Sequence, residues 1–149
     1  MQRDADILGA LRAGRVALPP LRIRLVGVEP KTEAVGGPHR PDAYVDVQWE
    51  ARTARFVVEL RGQATPKVFR DAVEQVRAYA SAAEMLPMVV VPYLSPERLS
   101  DLESRGVSGL DLCGNGVVVV PGELFVSRTG NPNQYPAGRR IRNVYQGAS

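Results

Sequence analysis

Two short segments alternate apolar and polar residues with a period of two. In 42–49, Ala43, Val45, Val47 and Trp49 point one way, while Asp42, Tyr44, Asp46 and Gln48 point the other. In 55–61, Phe56, Val58 and Leu60 oppose Arg55, Val57, Glu59 and Arg61. Such alternation marks half-buried strands. A two- or four-residue loop around Ala51-Arg52 joins them in a hairpin whose paired residue numbers sum to 103, placing Asp42 opposite Arg61 and Tyr44 opposite Glu59. Both apolar sets then share one face, and a one-residue slip would destroy that agreement.

The pattern elsewhere places the remaining elements. Ile7, Leu8 and Leu11 sit at helical spacing within 4–13, and 21–28 alternates as a strand. Residues 30–41 are rich in Gly and Pro and read as a loop. Thr65 caps a helix that begins at Pro66, where a missing N–H costs nothing, and carries an apolar stripe to about Met85. Met88 to Val91 is apolar throughout, as in a strand buried on both faces, so strand, helix and strand imply a right-handed parallel crossover. Ser95-Pro96-Glu97 opens another helix, ending near Gly106. Residues 107–112 and 117–120 flank Gly114-Asn115-Gly116 as a hairpin, and Leu124 to Ser127 adds an edge strand. Before that edge strand is counted, the order α-β-β-β-α-β-α-β-β predicts an α/β fold with a mixed central sheet flanked by helices.

With 149 residues the chain reads as one domain, able to bury roughly two-thirds of its unfolded surface. No apolar run approaches a membrane span, and the opening Met1-Gln2-Arg3-Asp4 is unlike a signal peptide. One cysteine allows no internal disulfide, so a reducing cytoplasm is the expected location. One histidine and one cysteine exclude a zinc site, leaving an oxygen-liganded ion as the expected metal. After Leu124 there are four arginines (Arg128, Arg139, Arg140, Arg142) and no acid. That basic end suits either a phosphate backbone or solvent. We expect the α/β domain to span 1–128 and an irregular tail to span 129–149.

The polar face of the hairpin carries the chemistry. Two carboxylates, Asp42 and Glu59, can hold a hard divalent cation with the Leu60 carbonyl as a third ligand. Arg61, two positions after Glu59, supplies a positive charge on the same face. Ordinary cross-strand ion pairing on a wet sheet face gives a similar pattern, and pattern alone does not separate the two.

Pro41-Asp42, Glu59-Leu60-Arg61 and the β-β-β-α-β order resemble the PD-(D/E)xK (restriction endonuclease-like) nuclease superfamily. Gln75 and Tyr79 are similar to a Gln-x-x-x-Tyr pattern in several of its branches. The resemblance covers about 21–91. It implies a restriction endonuclease-like core, hydrolysis of DNA phosphodiesters with Mg²⁺ or Mn²⁺, metal ligands Asp42, Glu59 and Leu60, and catalytic residues Asp42, Glu59 and Arg61. Gln75 and Tyr79 would support that site, and Arg139, Arg140 and Arg142 would contact DNA. Arg61 stands where the superfamily has Lys. An arginine stays protonated, so it can grip phosphate but cannot act as a base. Lys67 is either an inward-reaching substitute or an exposed first-turn residue. The alternative function is a catalytically degenerate nuclease fold that binds DNA or a protein partner, with a homodimer as a further expectation.

Residues 106–116 and 129–136 also resemble bacterial proteins in which such a domain precedes a winged helix, so we expect the chain to be the N-terminal part of a longer protein. Asp46 shares the polar face as a second candidate ligand or a solvent-facing acid. Asp111 is expected to bind backbone N–H groups at the Gly-Asn-Gly turn. Cys113 and Trp49 read as core residues, and His39 as a surface residue.

Overall fold

A computed structural model describes residues 2–29 and 40–135. It contains α1 (Asp4–Arg12), β1 (Arg22–Val28), β2 (Ala43–Trp49), β3 (Arg52–Leu60), α2 (Pro66–Ala83), β4 (Leu86–Val91), α3 (Pro96–Arg105), β5 (Ser108–Asp111), β6 (Gly116–Val120) and β7 (Leu124–Arg128). The fold is α/β. All seven strands form one mixed sheet in the order β1-β2-β3-β4-β5-β6-β7, so each strand lies beside its predecessor in the chain. The pairs β3–β4 and β4–β5 are parallel and the others antiparallel.

Each strand's period-two pattern divides the core into two. On one face Val45, Val47, Phe56, Val58, Met88 and Val90 pack with Ile7 and Leu11 of α1 and with Leu18. On the other, Val57, Val89, Val91 and Val117 pack under Phe69, Val73 and Val76 of α2 and under Leu99 and Leu102 of α3. β4 contributes alternate residues to both cores, which explains its unbroken apolar sequence. The helix ends follow their local chemistry. The Val68 N–H donates to Thr65 Oγ1, the Arg98 N–H donates to Ser95 Oγ, and α3 stops at Gly106 in a left-handed conformation at φ 70°.

One expectation about the hairpin is corrected. Ala43 faces Val58 and Asp46 faces Arg55, so paired numbers sum to 101 rather than 103. The turn is Glu50-Ala51, between the paired residues Trp49 and Arg52, with Glu50 at φ 52°. The shift is two residues, which preserves the face of every side chain. The reason is electrostatic. In the 103 register Asp46 would lie opposite Val57, whereas in the observed one it accepts two hydrogen bonds from Arg55.

No described helix is long and apolar enough to cross a membrane. Beyond β7 the described chain is irregular but anchored. The Asn131 N–H donates to Asn115 Oδ1 (2.9 Å), and Asn115 Nδ2 donates to the Asn131 carbonyl (3.1 Å). Residue 131, placed in the expected tail, is thus fixed to the β5–β6 turn.

Candidate functional site

The end of β3 is held from both sides. The Asp42 N–H donates to the Val58 carbonyl (3.0 Å), and the Arg61 N–H donates to the Val90 carbonyl of β4 (3.1 Å). Between these anchors the Leu60 N–H donates to Asp42 Oδ2 at 2.9 Å, turning that carboxylate across the strand end. Glu59 points under α2 and is only 3% exposed. Asp42 lies beside Glu59 and Leu60 rather than opposite Arg61, as the corrected register requires.

Arg61 folds back over both acids. Its Nη1 lies 2.7 Å from Glu59 Oε2, donates to Asp42 Oδ2 at 3.1 Å, and donates to the Leu60 carbonyl at 2.8 Å. Its Nη2 donates to Gln75 Oε1 of α2 at 2.9 Å. One guanidinium nitrogen therefore meets all three oxygen ligands expected for a divalent cation. The charges of Glu59 and Asp42 raise the Arg61 pKa above its ordinary value despite the opposing effect of burial. Burial is also the main influence on Glu59, pushing its carboxyl up to about 7. The Asp42 charge adds to that rise, and Arg61 offsets part of it.

Tyr79, one turn beyond Gln75, is half-buried, and its pKa is raised by burial and by the charges of Glu59 and Asp42. Asp42, Glu59, Leu60, Arg61, Gln75 and Tyr79 thus converge. Lys67 does not join them. It is 83% exposed and donates to Asp71 Oδ2 at 3.2 Å on the same helix, so its charge is already paired in solvent. The inward-reaching alternative for Lys67 is corrected on that ground. Arg139, Arg140, Arg142 and His39 lie outside the described residues.

No family model, curated protein or solved structure matches this chain. The site is therefore read from its own geometry.

Its donor set does not fit a divalent cation as arranged. Among the described residues no group of three acidic, histidine or cysteine side chains comes together, and the oxygens that could serve already surround Arg61 Nη1. A guanidinium carries one charge where Mg²⁺ would carry two, and it brings no water to activate.

Two acids take roles that no local sequence pattern marks. Asp4, read as part of the first helix, accepts the Gly62 N–H at Oδ1 (2.7 Å), and its charge contributes to raising the Arg61 pKa. A Cβ at position 62 would stand 2.2 Å from the Arg3 carbonyl carbon, so glycine lets the start of α1 lie against the strand end. The second is Asp46, which is buried and bound by two arginines. Arg55 donates through Nε (2.8 Å) and Nη2 (3.1 Å), and Arg24 Nη2 lies 3.6 Å away. The Arg55 hydrogen bonds hold the Asp46 carboxyl below its ordinary range, against the effect of burial. Both expectations for Asp46, a second metal ligand and a solvent-facing acid, are corrected, because its carboxylate is buried and taken up by Arg55 and Arg24.

Asp111 is a structural acid. It is 1% exposed and accepts N–H groups from Leu94, Cys113 and Asn115 and the Asn115 side-chain amide. Cys113 is partly buried, with its thiol pKa raised mainly by burial.

Proposed function

We propose that this domain is a nuclease-like fold whose carboxylate pair is closed by Arg61, and that it acts as a metal-independent nucleic-acid-binding module. The observation that supports this is the threefold contact of Arg61 Nη1 with Asp42, Glu59 and the Leu60 carbonyl. A buried acid beside a half-buried one needs a counter-charge, and here the chain supplies its own. The restriction endonuclease-like core expected from the motif is part of the proposal, supported by the order β1-β2-β3-α2-β4 with Glu59 at the end of β3 and Asp42 beside it just before β2. An excess of arginines over nearby acids on the exposed sheet face gives the anion affinity.

The test combines two measurements on the full chain. Plasmid DNA with Mg²⁺ or Mn²⁺ should stay intact, and DNA binding should weaken steeply with salt yet be unchanged by a chelator. Divalent-dependent nicking that disappears in Asp42→Ala would overturn the proposal and favour hydrolysis.

A further inference from the structure

The buried Asp46 holds two exposed guanidinium groups, and that arrangement has no part in the Arg61 cluster. Arg24 and Arg55 lie on either side of Asp46 in register, each directly opposite it on β1 and β3. Their side chains are 66% and 48% exposed, while that of Asp46 is 6% exposed. One carboxylate thus orients two cations and neutralises only one of them. Arg55 gives Nε and Nη2 to Asp46, so Nη1 is not used on that acid, and Arg24 approaches the acid with Nη2 at 3.6 Å. The next row of the same face is Arg22, Gln48 and Thr53, paired across the three strands. Arg22 makes no ion pair among the described residues. Arg22 and Arg24 are two residues apart on an edge strand, so their Cα atoms stand roughly 6.7 Å apart. Beside them lies an open depression of about 500 Å³, lined by Arg22, Gln48, Trp49, Arg52 and Thr53 among others.

We propose that the β1–β2–β3 face carrying Arg22, Arg24 and Arg55 binds the phosphodiester backbone of single-stranded DNA, with one nucleotide seated in the adjoining depression. This rests on the nucleic-acid-binding reading above and names its surface. Charge complementarity argues for the backbone, since Arg24 and Arg55 share one acid and Arg22 beside them makes no ion pair among the described residues. Guanidiniums fixed by a buried acid lose little further freedom when they grip a phosphate. A single strand is favoured over a duplex because an unstacked nucleotide can enter a depression whose lining offers hydrogen-bond donors from Arg22, Gln48 and Thr53.

The experiment is fluorescence anisotropy with a labelled oligothymidylate and its duplex with oligoadenylate, across a salt series. Arg22→Gln with Arg24→Gln is the chosen variant because Arg55 still holds Asp46, so the fold is kept. A matched control, Arg12→Gln with Arg15→Gln, removes the same charge elsewhere. A third variant changes Arg139, Arg140 and Arg142 to Gln. The first variant should bind single strands about tenfold more weakly, with a salt slope smaller by about 1.4, which is two phosphate contacts at about 0.7 each. The control should keep both values close to wild type. If the Arg22/Arg24 variant binds as the wild type does while the tail variant fails, this surface assignment is overturned and the binding function stands. Duplex bound as tightly as single strand overturns the single-strand assignment. If the wild type binds neither form at low salt, both this inference and the proposed function fall.

Discussion

Replacing Glu59 by Gln isolates the conflict between burial and ion pairing at the strand end. Gln keeps the shape and an accepting oxygen but carries no charge, and Arg61 retains Asp42, the Leu60 carbonyl and Gln75. In the native protein the Glu59 carboxyl is pushed from an ordinary 4.5 up to about 7, chiefly by burial. The folded state therefore binds the Glu59 proton more tightly than the unfolded chain does. Below about pH 4.5 both states are protonated and the group has no effect. As pH rises towards 7 the unfolded chain releases the proton first, and stability falls. Above that range the full cost of ionising a buried acid is present, about 3 kcal/mol for a displacement of this size. Urea unfolding of wild type and Glu59→Gln at steps between pH 4.5 and 8.5 measures it, because titrating groups outside this cluster cancel in the difference. The wild type should lose about 3 kcal/mol relative to the variant across that window. Parallel curves, or a wild type that gains on the variant as pH rises, would refute the reasoning and mean that the attraction to Arg61 outweighs burial.

Arg61→Ala leaves two neighbouring carboxylates without a counter-charge and should cost about 3 kcal/mol. Mn²⁺ should then restore stability, by about 2.7 kcal/mol at a hundred times its Kd, in the variant and not in the wild type. Thermal denaturation with and without the ion decides this, and an equal rise in both proteins would contradict the role given to Arg61. Asp111→Ala strands three backbone N–H groups and the Asn115 amide, so urea unfolding should register a loss of about 4 kcal/mol, with Asn131 released. A loss below about 1 kcal/mol would mean that solvent reaches these groups. Gly62→Ala should lift the start of α1 off the strand end, seen as faster hydrogen exchange of the α1 amides with β4 unchanged. Unchanged α1 protection would show that this contact yields without cost.

Most of the element order was legible because it follows from periodicity and punctuation, which are local. The unbroken apolar run of β4 and the Thr65-Pro66 and Ser95-Pro96 helix starts are of this kind. The hairpin register was not, because alternation fixes only its parity. Choosing between 101 and 103 required knowing that Asp46 is buried and needs Arg55 directly opposite. The acids at 42 and 59 and the arginine at 61 were placed on one face correctly. The manner in which Arg61 turns back onto them depends on side-chain geometry that no spacing encodes. Asp4 and Asn131 were missed for a different reason. Each acts on a residue far away in sequence, Gly62 and Asn115 respectively, and neither has a local pattern to mark it.

The strand order bears on how the sheet is assembled. Each strand is laid beside the one synthesised just before it, so no strand has to wait for a distant strand, and the longest delay between neighbours is the α2 crossover between β3 and β4. Loop-closure entropy is therefore met in small instalments, which favours rapid folding. In a nascent chain of this design the β1 edge stays open, while the other unpaired edge lies at the newest strand and is covered by the next to emerge. On the growing side exposure to mispairing is a moving front, and the lasting edge is β1, which carries the charged side chains of Arg22 and Arg24.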